Sequence, residues 1–404
     1  MGTLLSEEFR KLVKGDKDLR MSTESQPDVG YPIGFPNFDF MNGYIYHVND
    51  NVRDIHDQYY SLGISNGSMV MIIGRSGCGK STFCIQVASN IVRPFKTSCI
   101  FEDSVEGGMI AERREQLSGF HGEEYEKRFI IRNTGVNAEN FYKRIKMIHD
   151  MKINNPDDYM YDTGKLDGRG NPIRIFEPTV YILDSLAMIM PDKQTEEDEL
   201  SGSMAVTATA KIVTDIMRRI IPMLKIANII LLVVNHVLDD ASIKPKKSVI
   251  SYLNYGEVLP RGKTAVYLCN TLIRLDDTKM KSDEKFKIAG SIVNVKLCKS
   301  RSAIANRVTP LLFSQVQGFI PELSLFLFLQ EQGRVHGAGL GMYFDDNKDF
   351  KFSYGNFLDK ITNNKEYYKI FLDIAMDELK KLPTEPFIEK ENTLNTASDI
   401  YNNI

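Results

Sequence analysis

Residues 69–81 read MVMIIGRSGCGKS, a short apolar run that leads into a glycine-rich turn. Residues 74–81 fit the pattern G-x-x-x-x-G-K-[ST], and the apolar run before them predicts a buried strand. The glycines allow the backbone to curl so that successive N–H groups point at one centre, and the helix predicted over residues 82–90 adds its positive N-terminus. The stretch therefore predicts a phosphate-binding loop (P-loop) between a strand and a helix.

Each residue of this loop has a predicted role in binding a nucleoside triphosphate. Lys80 is expected to reach the β and γ phosphates, and the hydroxyl of Ser81 is expected to bind the accompanying Mg²⁺. ATP and Mg²⁺ are therefore the predicted cofactors. The predicted nucleotide-binding residues of the loop are Gly74, Arg75, Ser76, Gly77, Cys78, Gly79, Lys80, Ser81 and Thr82.

A second apolar run ends in an acidic residue. Residues 180–185 read VYILDS, so the predicted strand stops at Asp184. An aspartate in that position is by itself more often a turn or a helix cap. Because a phosphate loop lies upstream, Asp184 is instead predicted to bind nucleotide by orienting the Mg²⁺ shell, at a metal site shared with Ser81.

Short apolar runs separated by helix-like segments continue along the chain. This alternation predicts an α/β fold with a mostly parallel sheet covered by helices on both faces. Residues 151–178 interrupt it with many turn formers and predict a surface excursion that could contain a hairpin. The predicted strands cover residues 69–73, 98–101, 180–183, 229–234, 271–275 and 292–297.

Composition narrows the class of protein. Of 404 residues, 43% are apolar and 25% are charged, and the net charge is −3. These values fit a soluble globular protein without a basic surface over the whole molecule, so nucleic-acid contacts must come from local loops. The five scattered cysteines predict reduced thiols. The longest apolar run, 226–234, is far shorter than the roughly 18 residues of a membrane helix, so a cytoplasmic protein without a membrane partner is expected.

The pattern divides the chain into four parts. Apolar residues at helical spacing in residues 4–14 predict a short helix, which with its linker forms residues 1–26 and could serve in polymerisation. An ATPase core is predicted over residues 27–320, followed by a small C-terminal domain over residues 321–382. Residues 383–404 are polar and acidic and predict a flexible tail.

The order of these elements resembles the RecA family of strand-exchange recombinases, and it is most similar to the UvsX-like bacteriophage branch. The resemblance covers roughly residues 30–380 and implies a RecA-type P-loop ATPase core. Besides the phosphate loop, the matching stretches are 33–39 (IGFPNFD), 183–186 (LDSL), 233–236 (VVNH), 295–301 (VKLCKSR), 319–323 (FIPEL) and 355–360 (GNFLDK).

This resemblance implies a DNA-dependent ATPase. In that family ATP holds a helical protein filament on single-stranded DNA, and the filament catalyses homologous pairing and strand exchange in recombination and repair. The implied partners are single-stranded DNA, homologous duplex DNA and further copies of the chain, with mediator and single-strand-binding proteins as accessory partners. A phage-encoded protein of this kind would act in the cytoplasm of a bacterial host.

Three residues take implied catalytic roles from the same resemblance. His236 matches the side chain that senses the γ-phosphate and couples it to the following DNA loop, although a histidine in that position alone would suggest a strand-end cap. Lys299 and Arg301 match a basic pair that reaches across the subunit interface toward the neighbour's ATP, and the alternative for them is two solvated charges. With such a pair, hydrolysis would require assembly.

The catalytic carboxylate has two candidates. Residues 101–106 read FEDSVE, and direct superposition on the family leaves Val105 at the position of its glutamate. Glu102 and Glu106 flank that position, and either could orient the attacking water after a one-residue shift of the loop. Glu106 is slightly favoured because two glycines follow it, whereas the resemblance of residues 101–103 to the acidic pair of KaiC-like clock ATPases supports Glu102.

Two segments correspond to the DNA loops of the family, residues 191–203 and 238–261. Lys211 and Arg218 follow the first loop and lie seven residues apart, hence on one face of a predicted helix. The first loop is acidic and would repel a phosphate backbone unless its charges face away. Around the second loop, the basic residues predicted to contact DNA are Lys244, Lys246, Lys247, Arg261 and Lys263.

Two other functions remain open. A hexameric RecA-like helicase would use the same core to translocate on DNA, and ring-shaped particles would distinguish it. A KaiC-like regulatory ATPase would switch protein partners without acting on DNA, and ATP hydrolysis indifferent to DNA would distinguish that.

Overall fold

The computed structural model describes residues 28–50, 55–105, 109–168, 170–189, 203–240, 252–260, 263–281, 283–345 and 347–385. The strands are β1 (Gly30–Tyr31), β2 (Tyr44–Asp50), β3 (Ile55–Ser61), β4 (Ile64–Ser65), β5 (Met69–Gly74), β6 (Ile100–Ser104), β7 (Phe129–Arg132), β8 (Met160–Leu166), β9 (Pro172–Phe176), β10 (Thr179–Asp184), β11 (Ile229–His236), β12 (Leu238–Asp239), β13 (Glu257–Val258), β14 (Thr271–Lys281), β15 (Gly290–Lys299), β16 (Arg307–Ser314), β17 (Gly318–Ile320), β18 (Val335–His336), β19 (Met342–Phe344) and β20 (Asn347–Phe352). The α-helices are α1 (Pro36–Met41), α2 (Lys80–Val92), α3 (Ala111–Ser118), α4 (Glu123–Arg128), α5 (Ala138–Asn154), α6 (Pro156–Tyr159), α7 (Ser203–Ala227), α8 (Lys263–Leu268), α9 (Asp283–Phe286), α10 (Pro321–Glu331), α11 (Phe357–Asn363) and α12 (Lys365–Leu379).

A large mixed sheet organises the described residues. Its strand order is β17-β16-β15-β14-β5-β11-β10-β6-β7. The six strands from β14 to β7 run parallel, whereas β15, β16 and β17 add antiparallel strands at one edge. The α/β class and the mostly parallel sheet are thus confirmed. The antiparallel edge begins after β14, because residues 282–289, which include the four-residue helix α9, are too short a connection for a parallel crossover.

Helices cover both faces of the sheet, which explains why its central strands are continuous apolar runs. All six residues of β5 are buried. Its alternate side chains separate into two clusters: Val70 and Ile72 pack with α2 on one face, and Met71 packs with α5 and α7 on the other. The phosphate loop therefore extends from a strand that is held on both sides.

A third cluster, rich in phenylalanine, lies beyond the sheet. It joins α10, α11 and α12 to the small sheet β18-β19-β20, with Phe326 at 4.6 Å from Phe357 between ring centroids. Ile292 and Leu312 of the main sheet belong to the same cluster. Residues 321–382 therefore pack directly against the core, and their status as a separate domain stays a prediction.

Two hairpins add to the core. Strands β8 and β9 pair antiparallel within the predicted excursion 151–178. The hairpin β2–β3 was not predicted, since its polar and aromatic residues show no clear alternation. The predicted N-terminal helix and linker, and residues 386–404 of the predicted tail, lie outside the described residues. No helix in the described part of the chain is long and apolar enough to cross a membrane.

The buried Lys152 makes the stability depend on pH. Its amine donates to the carbonyls of Glu177 and Ala227, over 2.6 and 2.9 Å, and burial lowers its pKa to about 7. In the unfolded chain a lysine pKa is about 10.4, so between pH 7 and 10 the unfolded state binds more protons and stability rises with pH. From pH 7 to pH 9 this residue is expected to add about 2 kcal/mol to the free energy of unfolding.

Urea unfolding of the wild type and of Lys152→Met at both pH values measures this effect. The other titrating groups are common to both proteins, so the difference between their pH dependences isolates Lys152. Equal pH dependences would show that Lys152 is charged in the folded state.

Candidate nucleotide-binding site

The phosphate loop connects the end of β5 to the start of α2. Gly77 and Gly79 have φ values of +81° and +84°, which side chains other than glycine rarely adopt. A Cβ at Gly74 would lie 2.5 Å from the carbonyl oxygen of Leu275 on β14, so this position also needs glycine. Arg75, Ser76 and Gly77 are exposed, whereas Cys78 and Thr82 are buried.

The cationic and hydroxyl groups that are expected to bind a nucleotide lie close together at the phosphate loop. The amine of Lys80 is buried and donates to the carbonyl of Arg75 over 2.7 Å, inside the loop. The hydroxyl of Ser81 donates to a carboxylate oxygen of Asp184 over 2.5 Å. Since Ser81 lies in the first turn of α2 and Asp184 ends β10, the fold pairs two oxygen ligands of the type that Mg²⁺ prefers. This pairing fits a magnesium–nucleotide complex.

A cavity of 270 Å³ opens beside this pair. Its polar lining comes from Ser81, Glu102, Ser104, Arg114 and Asp184, and apolar side chains complete it. Glu102 and Ser104 are alternate residues of β6, so both face the cavity, and Asp103 faces the opposite side of the sheet. There Asp103 accepts hydrogen bonds from Arg144 and Tyr181.

Glu102 lines the cavity and forms an ion pair there with Arg114. Arg114 of α3 donates to its two carboxylate oxygens over 2.9 and 2.8 Å, and both side chains are at most 5% exposed. Burial raises the pKa of Glu102, although the Arg114 guanidinium acts in the opposite direction. Glu106, the other candidate, lies outside the described residues. The choice between the two stays open.

The predicted sensor lies next to the phosphate loop. His236 ends β11 and is paired in register with Gly74, and the following N–H, of Val237, donates to the Gly74 carbonyl over 3.1 Å. The neighbouring Asn235 donates to the carbonyl of Pro260 over 2.8 Å, at the far end of the predicted second DNA loop. The contact with the second loop is thus made by Asn235, and a coupling role for His236 stays a prediction.

The predicted basic pair does not meet the phosphate loop of its own chain. Lys299 ends β15 opposite Leu272, which is level with Met71 and hence lies back along β5 from Gly74. Its amine donates to the carbonyls of Val266 and Tyr267, over 2.9 Å each, near the end of α8, and burial lowers its pKa. Arg301 is exposed. A contact with a neighbour's nucleotide stays a prediction.

The predicted DNA-binding residues are only partly described. Lys211 and Arg218 are exposed on α7, whereas Val213 and Met217 face the core, so the two basic side chains share the outer face. Lys263 begins α8. The remaining predicted contacts, Lys244, Lys246, Lys247 and Arg261, lie outside the described residues, as does most of the first loop.

Two polar partners of the site were missed from sequence. Arg114 neutralises Glu102, and Asp239 pairs with Arg75. Neither belongs to a motif, and Asp239 is 164 residues from its partner, so no local signal identified it. The alternation of β6 could have indicated that Glu102 and Asp103 face opposite sides of the sheet.

Part of the chain is similar to a known protein. Over 98 residues it is 28% identical to the protein of Mus musculus named DNA repair protein RAD51 homolog 4. The matched stretch is 24% of this chain and 30% of the mouse protein, so less than a third of that relative is spanned. No family model matches the chain. The similarity supports a relation to the RecA/RAD51 family, and to no particular branch of it.

Proposed function

We propose that this protein is a DNA-dependent ATPase that assembles on single-stranded DNA as a filament and catalyses homologous pairing and strand exchange. The observation that carries the proposal is the group formed by Lys80, Ser81 and Asp184 at the end of β5 and β10, beside His236. The partial similarity to a protein named for DNA repair is consistent with it. The narrower relation to UvsX-like proteins rests on the sequence motifs.

The residues of the site have distinct roles in this proposal. ATP with Mg²⁺ supplies the phosphoryl group that is transferred to water. The N–H groups of the loop and Lys80 hold the phosphates, while Ser81 and Asp184 hold the metal ion. Glu102 or Glu106 orients the attacking water. For Glu102 this role requires that the carboxylate act while Arg114 holds it, or that the pair separate.

The remaining roles are proposed from position for His236, Lys211 and Arg218, and from the sequence motifs for the basic pair. His236 lies between Gly74 and the predicted second loop, so it can transmit the state of the nucleotide to that loop. Lys211 and Arg218 present two positive charges on one face of α7 for phosphate contacts. Lys299 and Arg301 serve the neighbouring subunit, which makes hydrolysis dependent on assembly.

A KaiC-like regulatory ATPase is the second candidate. It is favoured by Glu102, which faces the cavity beside Asp184 as a catalytic carboxylate of the strand would. In that case ATP would be hydrolysed at the same rate with and without DNA, and the basic residues of α7 would be ordinary solvated charges.

ATP hydrolysis measured with and without long single-stranded DNA, over a range of protein concentrations, separates these functions. We expect strong stimulation by DNA and a cooperative rise with protein concentration, because the site is shared between neighbours. Electron microscopy of the same samples distinguishes filaments from helicase-like rings. A rate that is independent of both DNA and protein concentration would remove DNA from the proposal.

A further inference from the structure

A chain of charged side chains connects the phosphate loop to the strand pair β12–β13. The guanidinium of Arg75 donates to both carboxylate oxygens of Asp239, over 2.6 and 3.1 Å, and lies 3.6 Å from Glu257. Asp239 and Glu257 are directly opposite each other in β12 and β13. Arg75, the second residue of the phosphate loop, is thus tied to two strands that lie within the predicted second DNA loop, near its two ends.

Glu257, the buried member of this group, is held in place by its other partners. Glu257 is 4% exposed and accepts hydrogen bonds from Arg274 of β14 over 2.7 and 3.0 Å, and from the N–H of Asn254 over 2.8 Å. Burial alone would raise the pKa of Glu257, but these hydrogen bonds lower it to about 2, so the carboxylate stays charged. Separation of Glu257 from Arg274 would leave a buried charge without a partner, which is strongly unfavourable.

The end at the phosphate loop is different. The side chains of Arg75 and Asp239 are 55% and 73% exposed, and exposed ion pairs are weak and easily exchanged. Arg75 lies between Gly74 and Ser76, within the loop that is proposed to hold phosphates. A guanidinium binds phosphate in the same two-pronged manner as it binds a carboxylate, and phosphate carries more negative charge. The same negative charge repels Asp239.

We propose that Arg75 links nucleotide binding to β12. It holds Asp239 to the phosphate loop before a nucleotide binds and pairs with the phosphates afterwards, which releases Asp239. This inference rests on the proposed nucleotide-binding function. It adds a side-chain connection through β12 to the one proposed along β11 through His236.

Substitutions of Arg75 and of Asp239 are expected to change the affinity for nucleotide in opposite directions. Arg75→Gln removes a cation from the phosphates and should weaken binding of a fluorescent ATP analogue by about fivefold, as expected for one exposed ion pair. Asp239→Asn removes the competing carboxylate and should strengthen binding by about threefold. Residues that only stabilise the surface would not produce this opposition.

Hydrogen exchange of the amides in residues 237–240 gives a second measurement. In the wild type, the ATP analogue should speed up exchange in this segment, since β12 loses its tie to Arg75. In both variants exchange should already be fast without nucleotide and should change little when it is added. The matched control is Glu123→Gln, which removes an ion pair with Lys127 of 2.6 Å on α4, outside the phosphate loop and β12.

The outcomes separate the link from the proposed function. Wild-type binding of the analogue, with Arg75→Gln, Asp239→Asn and Glu123→Gln all alike in affinity and exchange, overturns the link and leaves the function intact. A wild type that binds no analogue overturns the nucleotide-binding function, and the link with it. Opposite shifts in affinity together with the altered exchange support the link.

Discussion

Lys80→Ala is expected to lower the rate of ATP hydrolysis by about 10²–10³, as is typical when one preorganised group that stabilises developing charge is removed. Lys80 is 5% exposed and its amine donates to the Arg75 carbonyl at the first turn of α2, so its charge is already directed into the loop. Alanine leaves the loop without this cation. Phosphate release with single-stranded DNA present measures the change.

The fold should survive this substitution. Lys80 lies at the start of α2, where its side chain belongs to none of the apolar clusters, and alanine favours helix. Thermal unfolding of Lys80→Ala should therefore resemble that of the wild type. Lys127→Ala, at an exposed lysine, is the control for loss of a positive charge. Hydrolysis by Lys80→Ala at the wild-type rate would show that the activity arises elsewhere.

Arg114→Met is expected to lower the free energy of unfolding by about 3–5 kcal/mol, because it leaves the buried carboxylate of Glu102 without its cation. Methionine matches the length of the arginine stem, so packing is largely kept. The double variant Glu102→Leu with Arg114→Met should recover most of the loss, since replacing both members of a buried pair is often neutral. Urea unfolding of the two single variants and the double variant measures this.

Substitution of Glu102 and of Glu106 shows which of the two glutamates is catalytic. If Glu102 orients the water, Glu102→Gln should reduce hydrolysis by about 10²-fold or more, and Glu106→Gln should not. If Glu102 only positions α3 through Arg114, Glu102→Gln should mainly reduce stability, and Glu106→Gln should remove the activity. Normal hydrolysis in both variants would contradict the assignment of either residue.

Local sequence determined the phosphate loop. Three signals in residues 69–81 depend only on residues that are adjacent in sequence: the apolar run, the glycines at left-handed positions and the lysine at the helix start. The strand, the turn and the helix were therefore all predictable. Asp184 was predictable for a related reason. The carboxyl ends of parallel strands meet at one edge, so an acidic residue that ends such a strand lies near the loop.

Only the tertiary structure decided how the site is connected. Strand order and register decide four features of the site and its surroundings. These are the antiparallel edge β15–β17, the pairing of Glu102 with Arg114, the ion pair between Arg75 and Asp239, and the contact of Lys299 with the end of α8. Residues far apart along the chain meet there because elements pack, and hydrophobic periodicity reports only which face of an element is buried. The chemistry of the loop is local, whereas the partners that tune its charges are set by the fold.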